Sequence, residues 1–169
     1  VDMVSMEMLF QYCHQVPKIE LHAHIGGCFR PMTFLELAEA KGIDTDHIDF
    51  YNVDIKTAFE IFKVGDQLIT DTQTLKRVTK EVIEDYSKQN TRYLELRSTP
   101  KIVGKIQSKE EYINTIIEAI KEMSEEIPTI KVRYLISVNR TRPETVEETV
   151  DLLLKHKADQ TEVVGLELS

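Results

Sequence analysis

Long apolar runs are missing from this chain: nothing in its 169 residues approaches the roughly 20 consecutive apolar positions that a membrane span requires. The opening Val1-Asp2-Met3-Val4 lacks the basic segment and apolar core of a secretory signal. Because the first residue is not Met, the chain reads as lacking its natural beginning. Cysteine is scarce. Cys13 and Cys28 stand alone and not at CxxC spacing, so neither a disulfide framework nor a thiolate zinc site is expected. A reducing, cytoplasmic compartment is expected instead. Basic charge is also in short supply. With 21 Lys and Arg against 29 Asp and Glu the net charge is −8, which argues against nucleic acid or an anionic membrane as partner. No short repeat, low-complexity run or linker divides the sequence, so a single domain is expected over residues 1–169.

What is present is an ordinary globular composition, 41% hydrophobic and 30% charged. The stretch Pro17-Lys18-Ile19-Glu20-Leu21-His22-Ala23-His24-Ile25-Gly26-Gly27 organises the rest. It reads as a short apolar strand ending in two histidines and opening into a glycine loop. Side chains in a strand alternate faces, so His22 and His24 point the same way and can grip one metal ion. By the same parity Glu20 points into the same interior. Gly26 and Gly27 let the backbone turn and a ligand approach closely.

The remaining pattern alternates helices and strands. Helical spacing runs from about Met3 to Gln15, with Met6, Leu9, Phe10 and Cys13 on one face, and Pro17 ends it. A second helix opens at Pro31 and closes at Gly42, a third runs from Ile55 to Leu68 or Ile69, and a fourth follows Asp71. Ser108 with Glu111 forms a capping box for a fifth. Residues Pro143 to His156 form a sixth, with Val146, Val150, Leu153 and Leu154 on one side. Strands are expected near residues 19–24, 92–98, 131–138 and 163–168. Such alternation predicts an α/β fold with a parallel sheet. Four strands are half of the eight that close a (β/α)8 barrel of the TIM type, so the chain reads as an N-terminal half-barrel.

In parallel α/β folds functional residues collect at the C-terminal strand ends. That rim gathers His22 and His24, then Ser98, Thr99 and Pro100, then Asn139 and Arg140. The Ser, Thr, Pro and Asn residues are also ordinary turn formers, and their shared rim is what singles them out. A catalytic zinc takes three protein ligands and keeps one position open. His14, His47 and His156 read as surface residues, His156 at a helix end that suits its charge. Any further ligand is therefore expected beyond Ser169, from another chain, or not at all. Glu20, Glu95 and Glu167 lie within strands and are expected to pair with Arg97 or Arg133 inside the barrel.

Residues 17–24 resemble the first strand of the adenosine and AMP deaminase family of zinc aminohydrolases. Tyr93-Leu94-Glu95-Leu96-Arg97-Ser98-Thr99-Pro100 and Val132-Arg133-Tyr134-Leu135-Ile136 are similar to strands two and three of its adenosine deaminase-like branch, whose members act on N6-methyl-AMP. Val164-Gly165-Leu166-Glu167-Leu168-Ser169 resembles strand four. The resemblance implies one zinc, with His22 and His24 as metal ligands. It implies a purine nucleoside or nucleotide substrate (N6-methyl-AMP, AMP or adenosine type) contacted by His24, Gly26, Ser98, Thr99, Pro100, Lys101 and Asn139. It also places the third zinc histidine, the metal-binding aspartate and the acid and base residues beyond Ser169, so no catalytic acid or base is expected here. A missing C-terminal half or another chain is then an expected partner. Three positions depart from the family. Gly26 stands where it has Asp or Asn, Asp66 where the branch has His, and Asn139 where the branch has Asp. Lys101 keeps a positive charge in place of an arginine. The alternative is a catalytically inactive barrel serving as a binding or structural component.

Overall fold

The computed structural model describes residues 3–169. Four parallel strands, β1 (Lys18–His24), β2 (Thr91–Ser98), β3 (Lys131–Val138) and β4 (Val163–Leu168), lie in one sheet in chain order. Six helices accompany them: α1 (Met3–Gln15), α2 (Pro31–Lys41), α3 (Ile55–Leu68), α4 (Thr72–Lys88), α5 (Lys109–Glu126) and α6 (Val146–Asp159). The expected strands and helices are all present, each within a few residues of its expected span.

Local chemistry sets the boundaries. Asp54 and Asp71 cap α3 and α4 by accepting the N–H groups of Thr57 and Thr74, both at 2.7 Å. Gly42 ends α2 in the left-handed conformation, φ 65°. Ser108 caps α5 by accepting the Glu111 N–H at 3.0 Å. The reciprocal half of the expected box is displaced by one residue, since the Glu111 carboxylate accepts from the N–H of Gln107.

One face of the sheet is the core. Leu94, Leu96, Val132, Tyr134 and Ile136 pack with Leu75, Val78, Val82 and Ile83 of α4 and Ile113, Ile116, Ile117 and Ile120 of α5. Each such side chain contributes about 1.5–3 kcal/mol by leaving water. The opposite face carries His22, His24, Glu95, Arg97, Ser137 and Glu167.

Two expectations are corrected. Glu20 does not share the face of the histidines. Between Glu20 and Ala23 β1 advances three residues while its partners on β2 advance two, from Leu94 to Leu96. This bulge turns Glu20 to the helix side with Ala23. There its charge helps raise the pKa values of Cys28 and Tyr86, which burial alone already pushes up. Nor is His156 a surface residue: it is 5% exposed, because the inward face of α6 runs through Thr149, Val150, Leu152 and Leu153 to His156 and leaves Leu154 outside. The apolar residues of α1 lie at the surface, Met6, Leu9 and Phe10 being 54%, 54% and 74% exposed. Ile19 and Leu21 of β1 and Leu166 and Leu168 of β4 are likewise exposed, on the two edge strands of the sheet.

Candidate functional site

The bulge in β1 fixes where the histidines go. His22 and His24 emerge at its C-terminal end on the open face, their Nε2 atoms 3.1 Å apart. The extra N–H that the bulge creates, that of His22, donates to Glu20 Oε1 at 2.7 Å. His24 packs edge-on against Phe62 of α3, ring centroids 5.8 Å apart. Burial pushes the His24 pKa down, Glu167 pulls it back and His22 and Arg97 lower it further. The net direction favours neutral imidazole, the form that binds metal.

A cleft of about 540 Å³ opens beside His24 over the strand ends. His24, Gly26, Ser98, Thr99, Pro100, Lys101 and Asn139 all line it, with Asp66, Arg97 and Arg142. Several of these polar groups already have partners. Ser98 Oγ lies 2.9 Å from the buried Tyr134 hydroxyl. Asn139 Oδ1 accepts from the N–H and the hydroxyl of Thr141. Lys101 Nζ donates to Asp66 Oδ1 at 2.6 Å.

The two glycines after the histidines differ. A Cβ on Gly26 would meet only Asp66 Oδ1, at 3.8 Å, whereas on Gly27 it would run into the Phe62 ring at 2.4 Å. Gly65 of α3 lets the helix approach the Gly26 carbonyl, which would lie 2.8 Å from a Cβ there.

Arg97 is 6% exposed and bridges the strands. It donates to the Leu21 carbonyl, and its Nη1 lies 3.3 Å from Glu167 Oε1. The expected pairing of strand carboxylates with Arg97 thus involves Glu167, and Glu95 at 4.0 Å, but not Glu20. Burial opposes ionisation of Glu167. Hydrogen bonds from Ser137 and Arg97 and the Arg97 charge outweigh it and hold the carboxyl below its usual range.

Glu167 also lies 4.0 Å from His24 Nε2, and one ligand atom each of His22, His24 and Glu167 falls within 4.8 Å of the others. Sequence reasoning placed Glu167 in an ion pair and missed this second neighbour. Its signal would have been the parity match of Glu167 with Ser137, Arg97 and His24 across the sheet.

The family model for adenosine deaminase matches residues 17–169. The N6-mAMP deaminase of Arabidopsis thaliana is 35% identical over 192 aligned residues, covering 94% of this chain and 53% of that protein. The N6-methyl-AMP deaminase of Danio rerio is 37% identical, covering 94% of this chain and 48% of its own length. Among solved structures, Arabidopsis ADAL complexed with IMP superposes with a TM-score of 0.80 at 37% identity, over 94% of this chain and 51% of that one. The chain therefore spans about half the length of the relatives it matches, and its four strands correspond to half of their barrel.

Proposed function

The chain belongs to the adenosine deaminase family, and from this we propose that residues 1–169 form the N-terminal half of a single (β/α)8 deaminase barrel. The whole catalyses zinc-dependent hydrolytic deamination of a purine nucleoside or nucleoside monophosphate, of the N6-methyl-AMP, AMP or adenosine type. The observation that carries this is the His22–His24 pair, whose Nε2 atoms stand 3.1 Å apart at the C-terminal end of β1, with His24 lining the cleft. Tetrahedral ligands at zinc distances of about 2.0–2.2 Å lie about 3.3 Å from one another, so the pair fits one ion.

His22 and His24 would hold the metal as neutral imidazoles. When bound, zinc supplies a water acidic enough to serve as hydroxide near neutral pH. The chain's other residues bind and orient. Ser98, Thr99 and Pro100 form the wall beside β2, and Gly26 leaves the floor open to a ligand. Lys101 offers a positive charge to a phosphate and Asn139 an amide. Two relatives named as N6-methyl-AMP deaminases, and a structural neighbour that holds IMP, the product common to AMP and N6-methyl-AMP hydrolysis, support a nucleotide substrate. The acid and base of the reaction lie outside this chain. The two cysteines are free, and no helix among the described residues is long and apolar enough to cross a membrane. We assign the protein to the cytoplasm on the cysteine usage.

One observation favours an inactive, scaffolding barrel instead. Asp66 neutralises Lys101, the charge available to a phosphate after β2. Release of ammonia or methylamine from adenosine, AMP and N6-methyl-AMP separates the two. We expect none from the chain alone with zinc, because positioned acid–base groups worth about 10²–10⁴-fold are absent. We expect turnover, lost in His22→Ala, when the chain is joined to the C-terminal half of the Arabidopsis barrel. Silence of that fusion, with the fold intact, would favour the scaffold.

A further inference from the structure

Four basic side chains line the cleft, Arg97, Lys101, Lys109 and Arg142, and three of them are already committed. Arg97 faces Glu167, Lys101 donates to Asp66, and Lys109 donates to Glu148 of α6. Among the described residues Arg142 pairs with no carboxylate, and its guanidinium makes no hydrogen bond.

The Arg142 backbone, by contrast, is held on both sides. Its N–H donates to the Asn139 carbonyl at 2.9 Å, closing a turn just after β3. Its own carbonyl accepts the Thr145 N–H at 3.0 Å and the Thr145 hydroxyl at 2.9 Å. Asn139 steadies the same turn, its side-chain oxygen accepting from the Thr141 N–H at 2.9 Å. A neutral amide there braces the loop without giving Arg142 a counter-ion. The stem of Arg142 is thus fixed at the cleft while its planar set of N–H donors stays open, a set that a phosphate accepts in pairs.

We propose that Arg142 takes the phosphate of a nucleoside monophosphate in this cleft, from the turn after β3. The inference rests on the purine-nucleotide function proposed above and names the residue that meets the charged end of the ligand. It also answers the observation that favours a scaffold, because the charge that Asp66 cancels on Lys101 is supplied from a different loop. Lys101 keeps a smaller share, since its own counter-ion stays beside it. Inosine, which has no phosphate, gives the Arg142 guanidinium no charge to meet.

The test is calorimetric titration of the purified chain with IMP, inosine and inorganic phosphate at two ionic strengths. Wild type should bind IMP more tightly than inosine, by a margin that shrinks as salt rises. Arg142→Gln should weaken IMP binding about tenfold, the low end for a hydrogen bond to a charged group, and leave inosine unchanged. Arg142→Lys keeps the charge without the fork and should recover part of the loss. Asn139→Asp keeps the acceptor for Thr141 but puts a carboxylate in the same turn as Arg142, and should narrow the margin between IMP and inosine. Unchanged IMP affinity in Arg142→Gln would overturn the assignment, and a wild type that still prefers IMP to inosine would leave the nucleotide reading standing. Equal losses for IMP and inosine would also overturn it, as damage to the cleft rather than loss of a phosphate contact. Inorganic phosphate bound as tightly as IMP would make Arg142 an anion contact unconnected with the nucleoside. A wild type that binds neither IMP nor inosine would remove the purine reading of the cleft and this assignment with it.

Discussion

The Glu20 carboxylate accepts the backbone N–H of His22 at 2.7 Å. A bulge leaves one strand residue outside the ladder, and here the residue two positions earlier satisfies it. The contact sets the direction in which both histidines leave β1. Glu20→Ala should cost about 1 kcal/mol, the usual net value of one hydrogen bond, and should loosen the histidine pair. Glu20→Gln keeps an acceptor oxygen and should restore most of both. Chemical denaturation and zinc affinity, measured on the same samples, check this. Equal zinc affinity in Glu20→Ala and wild type would separate the bulge from the metal site.

Much of this architecture was legible because periodicity reports burial. The β2 run Thr91–Ser98 and the β3 run Lys131–Val138 alternate faces, and Ile113, Ile116, Ile117 and Ile120 mark the buried side of α5. Parity failed at Glu20, because a bulge shifts the phase and nothing local announces it. It failed at His156 because Leu152 and Leu154 satisfy a helical stripe equally well, and only packing against the sheet chooses between them. The closeness of Glu167 to His24 depends on curvature accumulated over four strands. The shared cleft wall was legible, since a parallel sheet aligns its C-terminal strand ends.

Asp66 and Lys101 should set the charge preference of the cleft. Their 2.6 Å contact neutralises the lysine, and Asp66 itself is well exposed to an incoming ligand. Asp66→Asn removes the competing anion and should raise affinity for IMP several-fold while leaving inosine unchanged. That is the scale of about 1 kcal/mol for one charge at 4 Å in water. Lys101→Met should lower IMP affinity and weaken its salt dependence. Calorimetric titration at two ionic strengths reads both effects. Equal changes for IMP and inosine would mean that the pair does not meet a phosphate.

Gly26 and Gly65 should respond oppositely to the same substitution. Gly26 has open space around its missing Cβ, so Gly26→Ala should leave stability within about 0.5 kcal/mol. Gly65→Ala drives a methyl into the Gly26 carbonyl, a backbone atom that cannot swing aside, and should cost about 1–3 kcal/mol. Urea midpoints test the pair. A neutral Gly65→Ala would mean that α3 can retreat from the rim.

His156 predicts a pH dependence. Burial lowers its pKa from 6.5, against the partial opposition of Glu110 and Asp159, with Lys155 lowering it further. The unfolded chain then takes up the proton first as pH falls. The stability that the neutral form contributes is complete above about pH 6.5 and is lost progressively below it, down to the folded-state pKa. His24 is shifted the same way, so wild type alone does not isolate the effect. His156→Leu removes the titrating group and the unpartnered buried Nε2. Its urea midpoint should fall less steeply than that of wild type between pH 7.5 and 5.5. Parallel curves would assign the whole dependence to other groups.

Arg97 should be the costliest polar side chain to replace. It is buried, it donates to the Leu21 carbonyl, and it faces Glu95 and Glu167. Arg97→Met leaves two partly buried carboxylates without their cation, and breaking a buried pair from one side costs about 3–5 kcal/mol. Arg97→Lys keeps the charge but not the planar fork, which serves Leu21 and Glu167 together, and should recover only part of the loss. Glu167→Gln alone should cost less, because Glu95 still balances the guanidinium. The double variant Arg97→Met, Glu167→Gln should be more stable than the sum of the single losses predicts, since it removes both members of the pair. A double-mutant cycle by urea denaturation gives the coupling directly. Strict additivity would mean that the 3.3 Å contact carries no interaction energy and that Arg97 serves β1 through the Leu21 carbonyl alone.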